Sequence, residues 1–319
     1  MQANVTFVMK KRSSYKPRNW SEYNRAKINS GNIFMYFKED IGAWWYNTES
    51  NGKKGRNNLY SNQSIELALI VHYLFKIPLR QTQGFIEGMF EKFGLNLKTQ
   101  NFSTISRRSR HLDVCYRTLD PTDNLHVVID SSGVQIHSGK QWNAYKHRVK
   151  DKKKWLKMHF CMDAKTGEVL SNTLTDGCTS DSSQVKPLLN ELPDQIEKFY
   201  GDGAYDRHQT YNAITEHQSS PVDIIIPPLE SSQMPEDPKI ELTQRDKHVE
   251  YIQNKGRLRW NSKHNYGQRQ KREGVFARFK AIFDEKLFSR DNCAQKTELD
   301  LKCKWLNQMN KLYTAGFAR

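Results

Sequence analysis

The feature that most constrains the fold is a short, almost wholly apolar segment near the middle of the chain. Residues 125–129 have the sequence LHVVI. Such a run, rich in β-branched residues, is typical of a central strand that is covered on both faces. Two further strands are predicted at 155–162 and 169–174, because the segment between them ends at Gly167 in the manner of a hairpin turn. These three segments predict a sheet at the centre of the protein.

The segments after these strands alternate between helix and strand. Helices are predicted at 182–192 and 207–217, strands at 196–200 and 222–226, and one long helix at 266–283. Three strands followed by alternating helices and strands indicate an α/β domain with a mixed sheet.

Upstream of the sheet, the sequence predicts helices. Ser61 is a suitable N-cap for a helix that Pro78 ends, and a second helix at 79–93 is closed by Gly94. The apolar stripe predicted for this second helix consists of Phe85, Ile86, Met89 and Phe93.

A third, short helix is predicted at 101–110, with small polar residues first and basic residues later. Its arginines are Arg107, Arg108 and Arg110. A helix, a turn and a polar, basic helix form the layout that reads the major groove of DNA. Because helical caps without a DNA-binding function share this outline, both interpretations stay open at this point.

Positive charge is concentrated in two windows. The chain has 50 Lys and Arg against 35 Asp and Glu, a net charge of +15. Residues 140–157 hold eight Lys and Arg against one Asp (+7), and residues 245–290 hold thirteen against five acids (+8). Clustered charge interleaved with aromatic residues favours a phosphate-binding surface over a merely solvated one. In the first window we expect Lys152, Lys153 and Lys154 to contact DNA. Neither window has the broad apolar face that a helix at a membrane surface needs.

Several other classes of protein are disfavoured. No apolar stretch approaches the ~18 residues needed to span a bilayer, so no membrane protein is expected. The five cysteines have neither a CxxC pair nor a regular spacing, which predicts reduced thiols in a cytoplasmic protein. The glycine patterns of hydrolase elbows, P-loops and dinucleotide-binding folds are missing, so no nucleotide cofactor is expected.

Acidic residues follow two of the predicted strands. Asp130 comes directly after the strand at 125–129, and Asp202 follows the strand at 196–200 after a single glycine. Either residue alone is more often a turn or capping residue. Neighbouring strands that end at one edge, however, bring two such carboxylates together, where a cation is needed to offset their repulsion. Hard oxygen ligands of this kind suit Mg²⁺ or Mn²⁺.

A third carboxylate is predicted on the long helix. Glu273 is the one acidic residue between positions 250 and 284. At 100° per residue, three other polar side chains share its narrow stripe: Tyr266, Arg269 and Lys280. The helix would turn its phenylalanines toward the core beside this stripe. The alternative is that Glu273 is simply an ion-pair partner of neighbouring bases.

The spacing of these four residues is a known signature. Tyr266, Arg269, Glu273 and Lys280 match the Y(2)R(3)E(6)K pattern, and the segments around Asp130 and Asp202 match two further acidic blocks. From about Tyr15 onward the chain therefore resembles the DDE transposases of bacterial insertion sequences, and closely resembles the IS5 family. The resemblance implies a ribonuclease H-like catalytic core and a catalytic, metal-binding triad of Asp130, Asp202 and Glu273. Asp206 competes for the second place, but the family pattern favours Asp202.

The resemblance also implies an activity and its partners. Two Mg²⁺ or Mn²⁺ ions per site would support nicking at the terminal inverted repeats and joining of the freed 3′-hydroxyl to target DNA by transesterification. Arg269 and Lys280 would hold phosphates, and Tyr266 would stack on a base or bind a phosphate. A homodimer would form the synaptic complex at the bacterial nucleoid. The alternatives are a ribonuclease H-like nuclease without strand transfer and a DNA-binding relic that does not cleave.

Four regions are expected along the chain. They are an aromatic and basic N-terminal arm at 1–60, a helical DNA-binding region at 61–120, the ribonuclease H-like domain at 121–290 and a helical tail at 291–319. The sequence predicts no role for the aromatic cluster at 44–46.

Overall fold

The structure, a computed structural model, describes residues 20–32, 40–48, 57–117, 124–136, 155–235 and 241–315. The side chains of residues 270–273 and 313–315 are not among those described. Three of the lysines expected to contact DNA, Lys152, Lys153 and Lys154, lie outside these ranges, as does most of the first basic window. Glu273 is described only as a position on a helix.

A six-stranded mixed sheet forms the centre of the described chain. Its strands are β1 (Leu125–Ile136), β2 (Trp155–Asp163), β3 (Val169–Asp176), β4 (Ile196–Tyr200), β5 (Asp223–Ile225) and β6 (Lys286–Leu287). The order is β3-β2-β1-β4-β5, and β6 pairs with the end of β1. The first three strands are antiparallel neighbours, whereas β4 and β5 run parallel to β1.

Strand β1 is longer than the sequence predicts, and Asp130 lies within it rather than after it. The apolar run at 125–129 covers the part of β1 that pairs with β4, since this pairing stops at Val128. Beyond that point β2 continues to pair with β1 as far as Gln135. Among the described strands, only β2 pairs with residues 129–134 of β1, so one edge of β1 is open there and polar residues are tolerated.

Helices precede the sheet, cover it and follow it. The helices before the sheet are α1 (Trp20–Ser30), α2 (Ile41–Trp45), α3 (Asn62–Phe75), α4 (Leu79–Lys92) and α5 (Phe102–Arg108). Those after β3 are α6 (Val185–Leu189), α7 (His208–His217), α8 (Gln244–Lys255), α9 (Arg257–Lys263), α10 (Gly267–Phe283) and α11 (Asn292–Ala315). Ser61 caps α3 by accepting a hydrogen bond from the amide of Ser64 at 3.1 Å, as predicted. Gly94 follows α4 with a φ of +65°.

Both faces of the sheet are buried. On one face α10 packs its phenylalanines on β2, where Phe276 stacks on Phe160 with ring centroids 4.8 Å apart. On the other face α6 and α7 cover β1 with an apolar cluster that includes Val127, Ile129 and Leu188. An antiparallel β1–β2–β3 unit followed by parallel β4 and β5, with helices on both faces, is a ribonuclease H-like core. The predicted fold class is therefore confirmed, including the helical region that precedes the core.

The aromatic cluster at 44–46 belongs to the core of the helical region. Trp45 is fully buried, packs edge-on against Phe90 with centroids 4.8 Å apart, and donates a hydrogen bond to the carbonyl oxygen of Lys98 at 2.8 Å. The Tyr46 hydroxyl accepts from the amide of the same Lys98 at 2.9 Å. The two residues thus fix the segment between α4 and α5.

Helix α11 joins the helical region to the sheet. Its Asn307 accepts a hydrogen bond from the amide of Val169 in β3 at 2.8 Å and donates to the carbonyl oxygen of Tyr116 at 2.9 Å. Nearby, Lys304 forms an ion pair with Glu66 of α3. Helix α1 also packs along α11. Among the described residues, no helix has the length and apolar character that a membrane span requires.

A candidate active site where the pairing of β1 with β4 ends

The register of β1 against β4 brings two acidic residues side by side. Their last paired residues are Val128 and Tyr200. Asp130 and Asp202 each lie two residues further along. Because side chains alternate between the faces of a strand, Asp130 projects on the same face as Val128. Its cross-strand neighbour is Phe160, which contacts α10, so this face is the one that α10 covers.

Both carboxylates are directed at one cation, the guanidinium of Arg269. The Nη2 nitrogen of Arg269 lies 3.5 Å from Oδ2 of Asp130 and 3.5 Å from Oδ2 of Asp202. These distances are long for hydrogen bonds, so the attraction is mainly between charges. Asp130 and Arg269 are largely buried, whereas 36% of the Asp202 side chain is exposed. The site therefore opens toward solvent on the side of Asp202.

The second oxygen of each carboxylate is bound to the backbone. Oδ1 of Asp130 accepts a hydrogen bond from the amide of Ser131 at 2.9 Å. Oδ1 of Asp202 accepts from the amide of Ala204 at 2.8 Å, since Asp202 caps the short 3-10 turn Gly203–Tyr205. Each carboxylate thus has Oδ1 fixed by a nearby backbone amide and Oδ2 turned toward the guanidinium of Arg269.

Tyr266 positions the loop that carries Asp202. It stands directly before α10, and its hydroxyl donates a hydrogen bond to the carbonyl oxygen of Gly201 at 3.2 Å. Its ring packs against the buried Trp260 with centroids 5.4 Å apart. Burial raises the pKa of Tyr266, which keeps the phenol protonated and able to donate.

The long helix begins within one residue of the predicted position and carries Glu273 one turn after Arg269. The Glu273 side chain lies outside the described part of the structure, so its place as the third acid stays a prediction. Lys280, further along the same helix, donates to Glu285 at 3.0 Å.

Asp206, the competitor of Asp202, has a different environment. It is 2% exposed, and its Oδ1 lies 2.7 Å from Nε of Arg245. Its Oδ2 accepts from the amide of Leu229 at 3.0 Å and from the hydroxyl of Ser232 at 2.8 Å. Because its oxygens are already engaged by buried partners, the geometry favours Asp202 as the accessible acid.

The arginines of α5 have separate environments. Arg107 is exposed, and Arg110 is exposed with its Nε 3.9 Å from Oδ2 of Asp291. Arg108 is half-buried and donates to the carbonyl oxygen of Tyr60 at 2.9 Å and to the side chain of Asn62. In this arrangement Arg108 holds α5 against the start of α3, while the other two face solvent.

A basic helical hairpin formed by α8 and α9 lies beside the loop that carries Asp202. The sequence predicts this hairpin only as part of the second basic window, residues 245–290. Its turn is Gly256, with a φ of +82°. The exposed residues at the tip are Lys255, Arg257, Leu258 and Arg259, and Leu258 is 84% exposed. Arg257 donates to the carbonyl oxygen of Pro228 at 3.1 Å.

The base of this hairpin is anchored in the sheet. The indole of Trp260 donates to Nδ1 of His248 at 2.9 Å, and Nε2 of His248 donates to the carbonyl oxygen of Ile224 in β5 at 2.8 Å. The adjoining loop reaches Gly203, where an added Cβ would lie 3.4 Å from the Leu229 side chain. The tip therefore presents positive charge close to the Asp202 loop.

A second polar cluster, not predicted from the sequence, involves β2. Lys157 lies 2.8 Å from Oδ2 of Asp181, and Nδ1 of the buried His159 lies 3.3 Å from Oδ1 of the same residue. Burial lowers the pKa of His159 to about 4, although the charge of Asp181 opposes this shift. Lys157 belongs to the first basic window, but here it neutralises an acid.

The residues fit a divalent cation. Two hard carboxylate oxygens already flank one positively charged nitrogen, which stands where a bound cation would be attracted. Within the described ranges, no group of three or more His, Cys, Asp or Glu side chains has the arrangement of a metal site. Glu273, which the sequence predicts as the third ligand, lies on α10.

Two family models match the sequence. Both carry the description "Transposase DDE domain"; one matches residues 121–307, which is more than half of the chain, and the other matches residues 28–139. The first range contains Asp130, Asp202 and Glu273, and the second spans the helices from α2 to α5 and all of β1, including Asp130.

Proposed function

Since the chain belongs to the family of transposase DDE domains, we propose that it is the transposase of a bacterial insertion sequence of the IS5 family. It binds the terminal inverted repeats, nicks the element ends and joins the freed 3′-hydroxyl to target DNA. The observation that carries this proposal is the convergence of Asp130 and Asp202 on one cationic nitrogen. The Y(2)R(3)E(6)K spacing supports the assignment to the IS5 family.

The proposed catalytic residues are Asp130, Asp202 and Glu273, which would hold two divalent cations, Mg²⁺ or Mn²⁺. When bound, such ions activate the attacking oxygen and stabilise the leaving oxygen of an in-line phosphoryl transfer. The chain's own part is to fix the ligands in advance. Backbone amides hold Oδ1 of both aspartates, and Tyr266 holds the loop before Asp202.

The proposed DNA-binding surface combines the basic tip of the α8–α9 hairpin with exposed bases elsewhere. The further members are Arg107, Arg110, Arg269 and Lys280, together with Lys152, Lys153 and Lys154, as the sequence predicts. Tyr266, by contrast, is better explained as a positioning residue, because its hydroxyl is engaged by Gly201. Arg108 is likewise tied to Tyr60 and Asn62.

The experiment that tests this function uses DNA carrying the element's terminal repeats. Mg²⁺-dependent nicking is expected for the wild type and should be lost in Asp130→Asn, Asp202→Asn and Glu273→Gln. A labelled, pre-cleaved 3′ end should appear in a joined product. Nicking without joining would instead identify a nuclease, and binding without nicking a relic. If all three variants nick normally, the catalytic assignment is wrong.

We also propose a homodimer in the synaptic complex at the nucleoid, because two element ends must be joined together. Light scattering with and without end DNA tests this, and a monomer that holds both ends would contradict it. The division of the chain at residues 60, 120 and 290 stays part of the proposal.

A further inference from the structure

The atoms that attract Arg269 are the same atoms that we propose as cation ligands. Its Nη2 nitrogen lies 3.5 Å from Oδ2 of Asp130 and from Oδ2 of Asp202. We propose that Arg269 is the resident counter-ion of the two aspartates, and that it must leave these oxygens before a divalent cation binds. The inference rests on the proposed function, because it assumes that the two aspartates bind the cation.

The carboxylates need such a counter-ion. Asp130 and Asp202 face each other at a partly buried site, and two like charges there are costly unless a positive charge lies between them. A guanidinium stays protonated under all ordinary conditions, so Arg269 supplies this charge constantly. The main chain of Arg269 is fixed, because Tyr266 holds the start of α10 to Gly201. The side chain is therefore the part that moves.

A DNA phosphate is the natural alternative partner of this guanidinium. Arginine binds phosphate oxygens through two parallel hydrogen bonds, and these are among the stronger contacts that it makes. The tip of the α8–α9 hairpin, with Lys255, Arg257 and Arg259, would bring the DNA backbone to the open side of the site. When Arg269 turns to a phosphate, the Oδ2 atoms become available to the cation. Binding of DNA and binding of the cation then favour each other, as linkage requires.

This coupling makes a prediction about the protein without DNA. Mn²⁺ binding can be measured as the loss of the free-ion signal in electron paramagnetic resonance. Binding to Arg269→Gln should be tighter than binding to the wild type by on the order of tenfold. Mn²⁺ should also raise the melting temperature of Arg269→Gln more than that of the wild type, since the variant lacks the internal counter-ion.

The matched control is Lys280→Gln. Lys280 lies on the same helix and also carries one positive charge, but it is paired with Glu285 at 3.0 Å. If Lys280→Gln tightens Mn²⁺ binding as much as Arg269→Gln does, the effect is general electrostatics and the inference is overturned. Should Arg269→Gln fail to fold, Arg269→Lys replaces it. The shorter ammonium bridges two carboxylates less well, so a smaller gain is expected, and no gain overturns the inference.

Asp130→Asn separates failure of this inference from failure of the proposed function. If Asp130→Asn weakens Mn²⁺ binding while Arg269→Gln leaves it unchanged, the aspartates bind the cation and only the counter-ion role is wrong. If Asp130→Asn does not alter Mn²⁺ binding, the site assignment itself fails, and the inference fails with it.

Discussion

The phenol of Tyr266 donates a hydrogen bond to the carbonyl oxygen of Gly201, the residue immediately before Asp202, at 3.2 Å. One atom of the segment before α10 thereby sets the position of a loop that is 65 residues away in sequence. The bond also fixes the start of the helix that carries Arg269 and Glu273. The relative position of the two aspartates and this helix thus depends on a contact that involves none of the acids.

Tyr266→Phe removes this hydrogen bond while keeping the ring against Trp260. We expect a loss of about 0.5–1.5 kcal/mol in the free energy of unfolding. Single-turnover nicking at saturating DNA should fall by roughly tenfold, since a small displacement of the Asp202 loop misaligns the reacting groups. The control is Tyr251→Phe in α8. Equal nicking rates for Tyr266→Phe and the wild type would show that the loop is held without this bond.

Substitution of Asp206 should lower the stability of the protein, whereas substitution of Asp202 should abolish its nicking activity. Asp206→Asn leaves the Arg245 guanidinium, 12% exposed, without its buried partner and should cost about 3–5 kcal/mol of stability. Asp202→Asn should abolish nicking with little change in melting temperature, because Asp202 is partly exposed. Thermal melting and a nicking assay on both variants test this. A stable, inactive Asp206→Asn beside an active Asp202→Asn would reverse the two roles.

The tip of the α8–α9 hairpin should contribute affinity for DNA that does not depend on the DNA sequence. Lys255→Gln with Arg259→Gln should weaken DNA binding and lower the slope of log affinity against log salt by about 0.9 for each phosphate that the variant no longer neutralises. Fluorescence anisotropy between about 50 and 200 mM salt measures this slope. Lys186→Gln on α6, an exposed lysine paired with Glu216, serves as the control and should leave the slope unchanged. An unaltered slope in the double variant would place the DNA elsewhere.

Acid should destabilise the protein through two histidines, the buried His159 and the half-buried His264. Burial lowers the pKa of His159 and of His264 to about 4, whereas in an unfolded chain the value is about 6.5. As the pH falls below about 6.5, the unfolded state therefore gains protons before the folded state does, and stability declines until about pH 4. Urea unfolding at pH 7.5, 6.0 and 5.0 should give decreasing free energies. His159→Gln should reduce this pH dependence, and an unchanged dependence would contradict the assignment.

Much of the fold was predictable because local patterns determine it. The strands after β1 and the start of α10 follow from runs of apolar residues and their spacing. The stripe predicted for α4 was wrong for Phe85 and Phe93, which are 39% and 57% exposed, and right for Ile86, which is buried. The buried face is Thr82, Ile86 and Phe90. Hydrophobicity alone identifies apolar residues, but the neighbours that cover them are set by distant packing.

The candidate site, like the fold, was predictable only in part. The sequence predicted that Asp130 and Asp202 lie close together. The reason is the parallel pairing of β1 with β4, which ends two residues before each aspartate, although Asp130 itself lies within β1. The position of Arg269 between them, the buried ion pair of Asp206 with Arg245, and the pairing of Lys157 with Asp181 were not predicted. Each depends on a partner 24 or more residues away. The spacing of residues along one helix predicts that they share a face, but not which residues of other elements that face contacts.

Helix α11 touches both halves of the molecule, through Lys304 with Glu66 of α3 and through Asn307 with Val169 of β3. Helix α11 therefore fixes the helical region, which is proposed to read the DNA sequence, against the sheet, which is proposed to cleave the DNA. In the proposed complex with DNA, the distance from the bases that the helical region would read to the bond that would be cut is therefore set by side-chain packing within the protein and not by the DNA. One extra base pair between them, about 3.4 Å, would carry the scissile phosphate past the aspartates.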